Sequence, residues 1–192
     1  GKESMDYKAK LYPLVYNPLL IKPERPLPRE VAIVGAGTIG PDIGYYFKSA
    51  LPEIKLFLVD VMEEALRNAE KRYQGYAQKA VARGKMKEAE AKRVLENITY
   101  TTDYSQIKNC DLVIEAATEN IPLKQGIFAQ IEETVSEDTI IASNTSAIPA
   151  DRLFPKMKKP QRCTIAHFMA PAWRSLPVEG IRWDKVAPKV GD

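Results

Sequence analysis

Val31-Ala-Ile-Val34-Gly35-Ala-Gly37-Thr-Ile-Gly40 is the stretch whose reading decides the fold. Its first four residues form a short, unbroken apolar run, the pattern of a parallel strand buried on both faces. The run stops at Gly35, and three glycines then fit G-x-G-x-x-G. A helix is predicted from about Thr38 to Ala50. That spacing carries little weight alone, but between a buried strand and a helix it describes a phosphate cradle. Gly35 permits the tight turn, Gly37 admits a pyrophosphate to the backbone, and Gly40 lets helix and strand pack closely. The helix N-terminus adds unpaired N–H groups and positive dipole. Gly35, Gly37, Thr38, Ile39 and Gly40 are therefore candidate cofactor-binding residues. Pro41 fits the first helical turn, where its missing N–H is not needed.

Downstream, Leu56-Phe-Leu-Val59 reads as a second buried strand closed by Asp60. A carboxylate at that place accepts hydrogen bonds from adenosine ribose hydroxyls and repels a 2′-phosphate, so NAD is expected over NADP. Further on, Glu63 to about Arg83 and Lys87 to Glu96 read as amphipathic helices broken at Gly84. Strands are expected at Ile98–Thr101, Leu112–Ile114, Thr139–Ala142, Cys163–Ala166 and Leu176–Trp183, and a helix over 121–136. Alternating strands and helices predict an α/β fold of Rossmann type: a doubly wound, mostly parallel sheet with helices on both faces. Residues 1–29 stand apart as a Pro-rich arm, with Pro13, Pro18, Pro23, Pro26 and Pro28 ruling out a long helix. The domain itself is expected over 30–192.

The net charge of +3 is too small to argue for nucleic acid. No apolar run has the length of a membrane span, and no apolar leader is visible. Cys110 and Cys163 stand in no metal or redox spacing and read as buried thiols, which suits a reducing compartment. A cytoplasmic protein with no metal, nucleic-acid or membrane partner is expected. The basic run from Lys71 and Arg72 to Lys92 and Arg93 is interleaved with acids and reads as a solvated helix face. The alternative is a landing surface for a polyanionic substrate tail such as the phosphates of coenzyme A.

Proton-handling candidates lie at predicted strand ends, which face the ligand crevice in open α/β sheets. The one histidine, His167, ends the strand at 163–166, and Glu179 follows twelve residues later. A carboxylate on one ring nitrogen would fix the tautomer and leave the other to exchange a proton with substrate. On spacing alone, a structural histidine fits as well. Asn144-Thr-Ser146 follows the strand at 139–142; Ser146 is placed to meet a substrate oxygen, or either residue caps a helix. Glu115, Glu119 and Lys124 surround the end of the strand at 112–114. Glu119 and Lys124 would reach a ribose or cofactor amide, or else form an exposed first helical turn.

Taken in order, Gly35-Ala-Gly37-Thr-Ile-Gly40, Asp60, Ile114-Glu-Ala-Ala-Thr-Glu-Asn120, Ala142-Ser-Asn-Thr-Ser146, and His167-Phe168 with Glu179 resemble the L-3-hydroxyacyl-CoA dehydrogenase family. The resemblance runs from about Glu30 to Trp183. It implies NAD-dependent oxidation of a 3-hydroxyacyl-CoA in fatty acid β-oxidation. It makes His167 the general acid–base, Glu179 its orienting partner, and Ser146 the hydrogen-bond donor to the reacting oxygen. It also places Glu119, Lys124 and Asn144 with the cofactor. Two departures matter. The family's usual asparagine before proline is Ala170 here, followed by Pro171-Ala-Trp173-Arg174, a pattern nearer to relatives acting on free hydroxy acids. The alternatives are thus a dehydrogenase of a non-CoA 3-hydroxy acid or ring-bearing acyl-CoA, and an NAD-binding domain without turnover. The family also continues into an all-helical domain with a dimer interface, so the chain is expected to be the N-terminal part of a longer homodimeric enzyme.

Overall fold

The computed structural model describes residues 27–117 and 120–144, together with the backbone of a strand at 163–165. The elements run β1 (Glu30–Val34), α1 (Gly40–Ala50), β2 (Lys55–Val59), α2 (Glu63–Ala82), α3 (Glu88–Leu95), β3 (Ile98–Thr101), a 3₁₀ turn (Tyr104–Ile107), β4 (Leu112–Glu115), α4 (Ile121–Thr134), β5 (Ile140–Ser143) and β6 (Cys163–Ile165). All strands join one six-stranded sheet in the order β3-β2-β1-β4-β5-β6. Every neighbouring pair is parallel, with Val31 opposite Leu56 on one side and Leu112 on the other. This is the doubly wound Rossmann order, whose reversal between β1 and β4 opens a crevice at the strands' carboxyl ends.

Two apolar cores sandwich the sheet because alternate strand residues face opposite ways. Val31, Ile33, Leu56, Leu58, Leu112 and Ile114 pack under Ile43 and Phe47 of α1 and Leu66, Ala69 and Tyr73 of α2. Ala32, Val34, Phe57, Val59, Val113 and Ile141 pack under Phe128 and Ile131 of α4. Burying each such large side chain stabilises the fold by roughly 1.5–3 kcal/mol before entropic costs. Strands apolar at every position are what this two-sided burial requires. Leu27, at the end of the Pro-rich segment, packs on the first core.

Element ends differ from the expected ones by one or two residues. α2 stops at Ala82, and Gly84 turns the chain with a φ of +70° before α3. The 3₁₀ turn at Tyr104–Ile107 is absent from the sequence reading because so short an element carries no period; Asp103 starts it by accepting from the Ser105 N–H at 2.9 Å. Among the described residues, no helix is long and apolar enough to cross a membrane. The expected strand at 176–183 lies outside the described residues.

Candidate cofactor site

The glycine turn sits where β1 meets α1. Gly35 takes a φ of +114°, a conformation that side chains rarely adopt, and its N–H donates to the Val59 carbonyl at 2.7 Å. A Cβ on Gly40 would stand 1.8 Å from the Gly35 oxygen, so the first and third glycines are in backbone contact. Gly37 differs: a Cβ there would meet nothing within 4 Å. The middle glycine therefore leaves open space beside an exposed backbone, as a cradle for a phosphate requires. The first N–H groups of α1 have no intrahelical acceptor, and no N-cap side chain accepts from them either.

Asp60 follows β2, next to β1 in the sheet, and this adjacency brings its carboxylate onto the turn. One oxygen accepts from the Ala36 N–H at 2.8 Å and the other from the Met62 N–H at 2.8 Å. The carboxylate keeps further lone pairs for ribose hydroxyls. Val61 and Met62, beside it, are exposed large apolar side chains, few of which occur among the described residues. They offer an apolar surface next to the Asp60 carboxylate, a feature the sequence reading does not include; two apolar residues straight after Asp60 are the available signal. Tyr104 approaches from the 3₁₀ turn. Burial first, then the carboxylates of Asp60 and Glu115, push its phenol up to about 12.

Across the crevice, β4 and β5 end in a buried ionic cluster. Glu115, the last residue of β4, is fully buried. Its carboxylate accepts from Lys124 Nζ at 2.8 and 2.6 Å, from Ser143 Oγ at 2.8 Å and from the Ala117 N–H at 2.6 Å. Lys124 also donates to the Ala117 carbonyl at 3.2 Å. Lys124 is thus no exposed first-turn lysine: α4 carries it inward, and Glu115 compensates its charge. An ammonium has three hydrogens, so a cofactor contact by Lys124 requires release of one of these acceptors. The cluster fixes the Ala116–Ala117 backbone, which lies against Gly35: a Cβ on Gly35 would come within 2.8 Å of both residues.

Asn144 follows β5, its N–H donating to the Glu115 carbonyl at 2.8 Å. Its side-chain oxygen is buried and has no hydrogen-bond partner among the described residues. A buried orphan acceptor costs on the order of 1–3 kcal/mol, and at this edge of the sheet it suits a ligand's donor. The open space at Gly37, the Asp60 carboxylate and this orphan oxygen together fit a dinucleotide. The structure brings Gly35, Gly37, Thr38, Ile39, Gly40, Asp60, Lys124 and Asn144 to one sheet edge. Glu119, Ser146, His167 and Glu179 lie outside the described residues. Among the described residues, no cluster of three or more His, Cys, Asp or Glu side chains is arranged to hold a metal.

Arg72 is the residue that the sequence reading most underrated. The charge pattern groups it with a solvated face, yet its guanidinium turns back onto the glycine turn, while Lys71, Lys79, Arg83, Lys85, Lys87, Lys92 and Arg93 are exposed. The signal was positional: Arg72 borders the helix face formed by Ala69, Tyr73 and Tyr76.

Solved structures share this fold. The 3-hydroxybutyryl-CoA dehydrogenase of Escherichia coli K12 is 32% identical with a TM-score of 0.72, over 76% of this chain and 30% of that one. The (S)-3-hydroxybutyryl-CoA dehydrogenase PaaH1 of Ralstonia eutropha is 34% identical with a TM-score of 0.71, over 76% of this chain and 50% of that one. A diketoreductase acting on dicarbonyl compounds is 28% identical with a TM-score of 0.67, over 76% of this chain and 52% of that one. The chain thus spans about half or less of the length of the relatives it matches. Residues 30–192 match the model of the 3-hydroxyacyl-CoA dehydrogenase NAD-binding domain, and the chain belongs to that family, with NAD as its cofactor.

Proposed function

We propose that this chain supplies the NAD half of an oxidoreductase that converts a 3-hydroxyacyl-CoA to the 3-oxoacyl-CoA. The observation that carries the proposal is the meeting of the Asp60 carboxylate with the Gly35–Gly40 turn. Gly35, Gly37, Thr38, Ile39 and Gly40 would hold the pyrophosphate, Asp60 the adenosine ribose, and Asn144, Glu119 and Lys124 the nicotinamide end. NAD, when bound, accepts hydride from the substrate carbon. His167 takes the hydroxyl proton, Glu179 orients the imidazole and stabilises its charged form, and Ser146 hydrogen-bonds the reacting oxygen. The 3-hydroxybutyryl-CoA dehydrogenases among the structural relatives favour a CoA thioester as substrate. An N-terminal arm over 1–29, homodimerisation and a cytoplasmic location belong to the same reading.

A second reading, a 3-hydroxy acid not carried on CoA, is favoured by Ala170-Pro-Ala-Trp173-Arg174 in place of the family's asparagine-bearing segment. The test is NAD reduction by 3-hydroxybutyryl-CoA against free 3-hydroxybutyrate, in the parent polypeptide and in His167→Ala. Removing a general acid–base should lower turnover about 10²–10⁴-fold with NAD affinity unchanged. Near-full activity of H167A removes the histidine from the chemistry. Faster turnover of the free acid selects the second reading, and NAD binding without turnover of either selects a silent binding domain.

A further inference from the structure

The guanidinium of Arg72 reaches from α2 to the glycine turn some thirty-five residues earlier. Nη1 donates to the Gly37 carbonyl at 2.9 Å and Nη2 to the Thr38 carbonyl at 3.1 Å. Nη2 also meets the Asp42 carboxylate at 2.7 Å, and the Tyr76 hydroxyl donates to the same oxygen at 2.6 Å. The Arg72 side chain is 31% exposed and that of Asp42 is 20% exposed, so the pair is partly shielded from water.

Peptide geometry turns this fork into a statement about ligand binding. The Gly37 carbonyl and Thr38 N–H belong to one planar trans peptide and point opposite ways; so do the Thr38 carbonyl and Ile39 N–H. Holding two successive carbonyls toward α2 aims the next two N–H groups at the opposite face of the turn, where a phosphate can meet them. Accepting from a cation also polarises each peptide and strengthens its N–H as a donor. Asp42 occupies the first turn of the helix that begins at this loop. Unpaired, its charge would oppose an anion there; Arg72 and Tyr76 compensate it.

We infer that Arg72 is a positioning residue for the dinucleotide pyrophosphate, aiming the Thr38 and Ile39 N–H groups through their own carbonyls. The inference rests on the NAD-binding reading and adds to it a residue that touches no ligand. Its footprint is a selective loss: phosphate-bearing ligands weaken, while adenosine, held through its ribose at Asp60, does not. Lysine is a poor substitute, since only a planar fork reaches both carbonyls at once.

The test is to titrate NAD and adenosine into the full chain and its Arg72→Met, Arg72→Lys and R72M/D42N variants, following backbone amides by NMR. R72M should weaken NAD roughly tenfold or more, the scale of one charge-assisted hydrogen bond. Adenosine affinity should stay within about twofold of the parent, well inside that tenfold scale. R72K, which keeps the charge, guards against a fold defect in R72M and should recover NAD binding only in part. R72M/D42N should remain impaired; its full recovery would assign the effect to the Asp42 charge and overturn the inference. Unchanged NAD affinity in R72M, or equal losses of NAD and adenosine, would overturn it too. Failure of the parent chain to bind NAD would instead defeat the nucleotide reading itself.

Discussion

Neutralising one partner of the Glu115–Lys124 pair tests whether the crevice floor is a coupled ionic unit. Both side chains are essentially excluded from water, at 0% and 1% exposure. Removing one member of such a pair leaves a buried charge uncompensated and costs about 3–5 kcal/mol. The two single variants are not equivalent. In Lys124→Met the carboxylate keeps two donors, Ser143 Oγ and the Ala117 N–H, which places the cost near about 3 kcal/mol. In Glu115→Gln the ammonium keeps the Ala117 carbonyl and one amide oxygen, so the cost lies nearer about 5 kcal/mol. Against a urea slope of about 2 kcal/mol per M, these losses lower the unfolding midpoint by roughly 1.5–2.5 M. In E115Q/K124M neither charge is buried, so the double variant should be more stable than either single one. Urea unfolding followed by circular dichroism, at low and high salt, reads all four corners of the cycle; burial makes the losses nearly salt-independent. A single variant within about 1 kcal/mol of the parent, or a double variant equal to the sum of the singles, would refute the coupled unit.

The glycines should separate fold from binding. Gly40→Ala drives a Cβ into the Gly35 carbonyl and should cost several-fold more stability than Gly37→Ala, which should unfold like the parent but bind NAD at least about tenfold more weakly; calorimetry on both variants checks this, and equal melting temperatures would contradict the packing argument. Asp60→Asn cannot accept from both the Ala36 and Met62 N–H groups and should lose roughly tenfold or more in NAD affinity while narrowing the preference over NADP, as side-by-side titrations would show. Burial pushes the Cys110 thiol well above its ordinary value, so iodoacetamide at pH 8 should spare Cys110 in the native chain and label it in urea; rapid native labelling, read by peptide mass spectrometry, would place it at the surface. Burial also raises the phenols of Tyr46 and Tyr104 to about 12. Because the folded values exceed the unfolded ones, the unfolded chain releases these protons first. That stability is complete below about pH 10 and is lost as pH rises through about 12; a urea midpoint flat from pH 9 to 12 would argue against it.

How much was legible in the sequence follows from the range of each signal. The Gly35–Gly40 turn, the strand before it, the helix after it and Asp60 are all written locally. A buried strand is a run of apolar residues, a φ of +114° calls for glycine, and a helix has its own period. Those signals alone account for the α/β layering and for the glycine turn and Asp60 at the carboxyl ends of β1 and β2. Lys124 shows the limit. Its place in a first helical turn suggests exposure, and only the packing of α4 on the sheet carries it inward to Glu115. Arg72 shows the limit again, since its charge among alternating lysines and glutamates resembles any solvated face. What makes it different is the Gly37 and Thr38 carbonyls, which only the docking of α2 beside α1 brings within reach. Ser143 meets Glu115 across β4 and β5, and the Asn144 oxygen is orphaned by the same packing. The sequence by itself determined the elements that rest on neighbouring residues. The tertiary structure alone decided which charges are compensated, because that depends on side chains brought together from distant parts of the chain and on the water removed between them.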